Sequence, residues 1–118
     1  MVHNYFCLEG IVTKSQVTHG EVQITWGNTY RGNIHKLKIE INKKNYEVIL
    51  RGTSPIQVND QVRLSFDKSV PIDSDNPCMG YAKRTVEDIL SSTDLEPNIV
   101  EKIVNGKVLF KYEQWPHG

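Results

Sequence analysis

The stretch KLKIEINKKNYEVIL, residues 36 to 50, determines the fold class of this chain. Apolar and charged residues alternate in its first half, and the alternation resumes after the polar run at 42 to 45. A period of two is typical of strands with one buried face, and a short polar run between two such segments predicts a tight turn. The stretch therefore predicts a β-hairpin whose core face carries Leu37, Ile39, Ile41, Tyr46, Val48 and Leu50.

Three further runs, at residues 5 to 14, 21 to 26 and 61 to 67, show the same alternation and are predicted to be strands. The apolar faces of the hairpin and of the third run match each other. We therefore predict that they are buried together in one core, made of Ile39, Ile41, Val48, Leu50, Val62, Leu64 and Phe66.

The C-terminal third is less clear from its pattern. Residues 81 to 91 have helical spacing, although a bulged strand fits them as well. Residues 95 to 104 are predicted to form a helix, because their apolar residues fall on one stripe with Pro97 in the first turn. A hairpin turning at Asn105-Gly106 is the alternative, since the segment is rich in β-branched residues. The run at 106 to 115 is predicted to be a strand.

Length and composition limit the possible classes of protein. The 118 residues fit one domain, 1–118. No signal peptide or apolar run of membrane-spanning length is visible, so we expect a cytoplasmic protein with no membrane partner. The net charge is zero, with nine Lys/Arg against six Asp/Glu in residues 1 to 70 and five against eight thereafter. No catalytic or metal-ligand motif is present, and we expect neither an enzyme nor a cofactor.

The order of elements resembles the oligonucleotide/oligosaccharide-binding fold (OB-fold), a family of small five-stranded β-barrels. The likeness is carried by FCLEGIVTKSQV at 6 to 17, with its central Gly10, and by the hairpin at 36 to 50. It also depends on IQVNDQVRLSF at 56 to 66, which is similar to the family's I-x-x-G-D-x-V entry into strand four. Asn59 stands there where glycine is usual.

YAKRTVEDIL, residues 81 to 90, is similar to the ending of many fifth strands of the family. The resemblance implies a mainly β fold, with an OB-like five-stranded barrel over 5–90 and a C-terminal extension of helix plus strand over 91–118. This chain departs from the family pattern in two ways. The loop at 52 to 60 has no room for a helix between strands three and four, and a hairpin-like insertion at 19 to 33 separates strands one and two. Such barrels commonly use the loop between strands one and two for binding.

The insertion contains ITWGNTYRGN, residues 24 to 33, in which aromatic rings and an arginine are spaced by Gly and Asn. Rings stack on bases and guanidinium pairs with phosphate, so Trp26, Tyr30 and Arg31 are candidate binding residues. We predict a protruding loop over 26 to 33 with Tyr30 and Arg31 exposed and Trp26 partly buried at its base. Trp26 is equally well explained as a continuation of the apolar face of the preceding strand.

If the chain forms such a barrel, outward-facing basic residues of neighbouring strands become a strip that follows a nucleic-acid backbone. Simple alternation on half-exposed strands explains the same residues without any ligand. The predicted strip consists of Lys36, Lys38, Arg51 and Arg63. The resemblance thus implies a non-catalytic module that binds single-stranded DNA or RNA. A protein-interaction or assembly subunit with the same barrel is the alternative.

Overall fold

The computed structural model describes residues 5–23, 29–71 and 80–114. The protein is mainly β, and the only helix in these ranges is five residues long. The elements in chain order are β1 (Tyr5–Gln23), β2 (Thr29–Ile41), β3 (Lys44–Arg51), β4 (Gln61–Asp67), β5 (Ser69–Pro71), β6 (Tyr81–Lys83), α1 (Val86–Leu90), β7 (Asp94–Leu95), β8 (Ile99–Val104) and β9 (Lys107–Glu113).

Seven of these strands form one sheet in the order β7-β3-β2-β1-β4-β8-β9, and β5 pairs with β6 in a separate ribbon. The long strand β1 is shared: its first half pairs with β4 and its second half with β2, and Ile11 has a partner on both sides. The hydrogen-bonded sheet is open, with β7 and β9 at its edges. The mainly β fold expected from the resemblance is therefore confirmed, but the described strands do not close into a five-stranded barrel.

The hairpin at 36 to 50 is confirmed as β2 and β3. Ile41 pairs with Lys44, which leaves Asn42 and Lys43 as a two-residue turn with φ angles of 52° and 66°. Positive φ at both central positions is the geometry that matches the twist of two antiparallel strands. The predicted core is confirmed too, since all seven of its residues are at least 96% buried. They belong to one apolar cluster with Val12, Leu37, Tyr46, Ile56, Ile89, Leu95 and Val100.

The helix predicted over 95 to 104 is wrong, and the alternative hairpin is the structure. β8 and β9 pair antiparallel across Asn105 and Gly106, whose φ angles are 53° and 76°. Two residues with positive φ make the tight turn that Asn-Gly favours, and β-branched residues lose less freedom in a strand than in a helix. The C-terminal extension is therefore strand plus strand.

The insertion at 19 to 33 does not form a separate hairpin. β1 and β2 simply continue, paired from Ile11 with Glu40 to Gln23 with Thr29. β3 ends at Arg51 opposite Ile34, so residues 19–23 and 29–33 extend beyond it and pair only with each other in the described sheet. We call these residues the arm. The predicted loop over 26 to 33 is wrong from residue 29 onwards, because Tyr30 and Arg31 lie on a strand.

The segment 81 to 91 combines both structures that its pattern allowed. Tyr81–Lys83 pairs with β5, and Val86–Leu90 forms α1, which begins with a capping box between Thr85 and Asp88. The fifth barrel strand expected there is absent. α1 buries Ile89 against the core. No helix in the described ranges is long and apolar enough to cross a membrane.

Asn59, which stands where the I-x-x-G-D pattern has glycine, has a backbone conformation that favours glycine. Its φ is 77°, a conformation that glycine adopts at no cost and that asparagine tolerates better than most residues. The Asn59 amide donates to the Val12 carbonyl at 2.8 Å, and the Val12 amide donates to the Asp60 carbonyl at 2.9 Å. The turn before β4 is thereby attached to β1 near the point where β1 changes partner.

Candidate functional site

An open cleft of about 260 Å³ lies where the arm, the end of β3 and β9 meet. It is lined by Tyr30, Arg51, Tyr112 and Glu113. Tyr30 and Arg51 were both predicted binding residues, although they come from different strands. Two tyrosines, one arginine and one glutamate therefore meet at this open surface.

Arg51 is held in this cleft by Tyr112. The Arg51 backbone amide donates to the Tyr112 hydroxyl at 3.0 Å, and its side-chain Nε donates to the same oxygen at 3.4 Å. Arg51 as a whole residue is half-buried. Tyr112 was not among the predicted site residues, because its contact with Arg51 joins positions 61 residues apart in sequence.

Tyr30 is half-buried rather than exposed. Its hydroxyl donates to the Asn33 carbonyl at 3.1 Å, which folds the ring back along the arm over Gly32. A Cβ at Gly32 would lie 2.9 Å from the Tyr30 hydroxyl, and Gly32 has a φ of 146°. Glycine at this position therefore lets the ring lie against the strand.

Three predicted basic residues follow one another on the outer face of β2 and β3. Arg51 pairs with Ile34, Lys36 with Ile49, and Lys38 with Glu47, so the basic residues occupy three successive rows of the sheet. Alternate residues of a strand point to the same face and rows two residues apart are separated by about 7 Å. The strip thus begins at the cleft and runs along the sheet for about 14 Å.

A fourth cation lies beside this strip. Lys14 of β1 is directly opposite Lys38 of β2, and both side chains are exposed. Like charges opposite each other destabilise a sheet, and a bound anion relieves that repulsion. Lys38 also borders a second cleft of about 220 Å³ between β3 and β7, where it is near two carboxylates. That cleft is lined by Lys38, Asn45, Tyr46, Glu47, Thr93 and Asp94.

Arg63 does not belong to the strip. It lies on β4, between Glu9 of β1 and Glu101 of β8 in the same row of the sheet. Its guanidinium is 3.5 Å from the Glu9 carboxylate and 3.7 Å from the Glu101 carboxylate. The prediction grouped Arg63 with the residues of β2 and β3, but the sheet order separates them and two carboxylates balance its charge.

Arg31 is exposed as predicted, yet it does not join Tyr30. Neighbouring residues of a strand point to opposite faces, so the two side chains lie on opposite faces of the arm. Arg31 forms an ion pair with Glu21, its cross-strand partner, at 2.6 Å. The side chains of Arg31 and Glu21 are 76% and 56% exposed, so water and salt screen this pair. Trp26 lies outside the described residues.

A buried histidine supports the end of the sheet next to this cleft. His35 is only 2% exposed, with Nε2 2.6 Å from the Ser15 hydroxyl and Nδ1 2.7 Å from the Ser54 hydroxyl. Ser15 donates to the Ile56 carbonyl at 3.0 Å, so its oxygen must accept from Nε2–H. Nδ1 then accepts from Ser54, whose oxygen in turn accepts from the Ile56 amide at 3.4 Å.

These bonds form a closed ring that fits neutral His35 and attaches the loop at 52 to 60 to β1 and β2. The pattern differs from a serine–histidine nucleophile pair, because the Ser15 proton is donated to a backbone carbonyl. The four histidines of the chain appeared scattered in the sequence. The network was missed because its serines are 20 and 19 residues away from His35.

Burial lowers the pKa of His35 below its usual value. A histidine whose pKa is lower in the folded state contributes stability at pH values above its unfolded pKa, near 6.5, and loses it as the pH falls. We expect the free energy of unfolding, measured with urea, to decrease between about pH 7.5 and 5.5. His35→Gln should lack that decrease, whereas His19→Gln, which changes an exposed histidine, should retain it. Equal pH dependence in wild type and His35→Gln would contradict the prediction.

Comparisons with protein-family models, curated proteins and solved structures find no match for this chain. A proposal for its function therefore depends on its own geometry. The feature with most chemical content is the cleft of Tyr30, Arg51 and Tyr112, together with the lysines that continue from it.

Proposed function

We propose that this protein is a non-catalytic binding module for single-stranded DNA or RNA. The observation that carries the proposal is the register of β2 and β3, which puts Arg51, Lys36 and Lys38 in consecutive rows that begin at a cleft with two tyrosine rings. A cationic track beside stacking rings is the arrangement by which proteins hold single strands without reading their sequence.

We also infer an OB-like relationship to a five-stranded barrel from the order in which the strands pair. β1 bridges β2 and β4, β3 pairs in parallel with β7, and β4 pairs with β8. β7 and β8 are separated by three residues, 96 to 98, so together they serve as a fifth strand connecting the two sides of the sheet. In barrels of this kind the face of strands two and three binds oligonucleotides.

In the proposed complex, the phosphates lie along the outer face of the sheet. Lys36, Lys38 and Lys14 contact them as point charges, and Arg51 contacts the nucleotide that enters the cleft. The ring of Tyr30, which lines the cleft, stacks on one base. The carboxylates near Arg63 and Arg31 lie away from the strip. Glu113 borders the cleft and Glu47 is opposite Lys38, so Lys36 and Lys14 carry the least balanced charge of the strip.

The salt dependence of affinity tests the strip. Each lysine that contacts a phosphate contributes about 0.7 to the slope of log K against log salt for single strands. Lys36→Gln and Lys38→Gln should each weaken binding of a mixed-sequence single-stranded oligonucleotide and reduce that slope by about 0.7. Fluorescence anisotropy titrations at several salt concentrations measure both quantities.

Lys107→Gln is the matched control, since Lys107 is an exposed lysine at the tip of the β8–β9 hairpin and outside the strip. It should leave the slope unchanged. Equal slopes for all three variants would remove β2 from the interface. Failure of the wild-type protein to bind any oligonucleotide at low salt would contradict the proposed function itself.

Binding of a protein partner is the second candidate, and an exposed apolar surface favours it. β9 is an edge strand that pairs only with β8 in the described sheet, and the hairpin carries Val104, Val108 and Leu109, which are 37%, 45% and 64% exposed. Unpaired strand edges with apolar side chains are common sites of strand addition. If the wild-type protein binds no oligonucleotide, this surface becomes the preferred candidate for the binding site.

A further inference from the structure

The cleft residue Tyr112 belongs to a chain of hydrogen bonds that runs in one direction. Its hydroxyl accepts from Arg51, as described above, and donates to Gln114 Oε1 at 3.1 Å. Gln114 Nε2 then donates to the Pro97 carbonyl at 2.9 Å, and the Gln114 amide donates to the Asn98 carbonyl at 2.8 Å. The Tyr112 hydroxyl thereby uses both of its acceptor positions and its one proton. Its orientation is set by Gln114, which is held in turn by Pro97 and Asn98.

This orientation controls the direction of the Arg51 guanidinium. A guanidinium is planar and rigid, so an Nε–H that points at Tyr112 fixes where the two terminal amino groups lie. Because Nε is already engaged, a ligand in the cleft meets the terminal groups. Those groups form the fork that pairs with two oxygens of a phosphate.

We propose that Tyr112 is a positioning residue, which orients Arg51 to receive a phosphate of the bound strand. This inference rests on the proposed function, and it deepens it by assigning the phosphate contact in the cleft to Arg51. It also gives the C-terminal strand β9 a role in binding that is separate from stacking by the Tyr112 ring. The hydroxyl, and not the ring alone, is what the role requires.

Tyr112→Phe tests the role because it removes the hydroxyl and keeps the ring. Affinity for a short oligothymidylate should fall about three- to tenfold, the effect of losing one hydrogen bond that orients a charged group. In an Arg51→Met background the same substitution should change affinity by less than about twofold, because there is no guanidinium left to orient. Tyr81→Phe is the matched control: Tyr81 is 58% exposed on β6 and does not line the cleft, so loss of its hydroxyl should leave affinity within about twofold of wild type.

A measurement without ligand separates this inference from the proposed function. The Arg51 side-chain Nε–H should give an ordered NMR signal, with a high heteronuclear NOE, in the wild type and in Tyr81→Phe. In Tyr112→Phe that NOE should decrease while the backbone spectrum stays folded. An unchanged NOE in Tyr112→Phe overturns the positioning role, and so does an equal loss of affinity in the Arg51→Met background. If the wild type binds no oligonucleotide, the proposed function fails, whereas the NOE still decides whether Tyr112 orients Arg51.

Discussion

Leu64→Ala is expected to lower the free energy of unfolding by about 2 to 5 kcal/mol. Leu64 is fully buried in the middle of β4, where it pairs with Leu8 of β1 and Val100 of β8. Truncation removes apolar contacts and leaves a cavity. The surrounding residues cannot easily move to fill it, because β4 is paired with β1 on one side and with β8 on the other. Urea denaturation followed by circular dichroism measures the loss.

Leu109→Ala is the matched control, because it makes the same chemical change at a side chain that is 64% exposed on β9. Its effect should stay within about 0.5 kcal/mol. Similar losses of unfolding free energy at the two positions would show that burial of Leu64 is not the cause of its loss. A small loss at Leu64 alone would contradict the strand register that places it inside.

Gly10→Ala is expected to cost about 3 kcal/mol, at the upper end of the usual range for overpacking. Gly10 is buried next to the point where the β1–β2 ladder begins, and an added Cβ would lie 2.6 Å from the Glu40 carbonyl oxygen and 2.6 Å from Ile39 Cγ2. A backbone oxygen cannot rotate away as a flexible side chain does, so β1 or β2 must move. The free energy of unfolding, measured in urea, gives the size of this effect.

Gly20→Ala provides the control, since an added Cβ there meets only Ile34 Cδ1 at an ordinary contact distance of 3.5 Å. Its effect should be within about 1 kcal/mol and is expected to be stabilising, because alanine restricts the unfolded chain more than glycine does. A Gly10 variant as stable as the Gly20 variant would contradict the close approach of the β2 backbone to Gly10.

The core and its turns could be predicted because they depend on neighbours in sequence. Alternation placed Val48 and Phe66 inside, and the polar run after Ile41 predicted the turn of the β2–β3 hairpin. Each of these inferences uses periods of two or a turn of two residues, which a single sequence displays directly.

The errors arose where one segment fitted two local patterns, or where a residue contacts a partner that is distant in sequence. Residues 95 to 104 fit a helical stripe and a strand equally well until Asn105-Gly106 is paired as a turn. Arg63 looks like a free cation until the sheet brings Glu9 and Glu101 to either side of it. The contact between Tyr112 and Arg51 depends on the return of β9 toward the end of β3, and no local pattern encodes it.

The sharing of β1 between two ladders also affects how the protein emerges from the ribosome. Phe6 pairs with Phe66 and Leu8 with Leu64, so the first half of β1 waits for β4 to be synthesised. Its second half pairs with β2 much earlier. Until β4 has been synthesised, Phe6 and Leu8 lack their cross-strand partners, and exposed apolar segments of incomplete chains are open to misassociation.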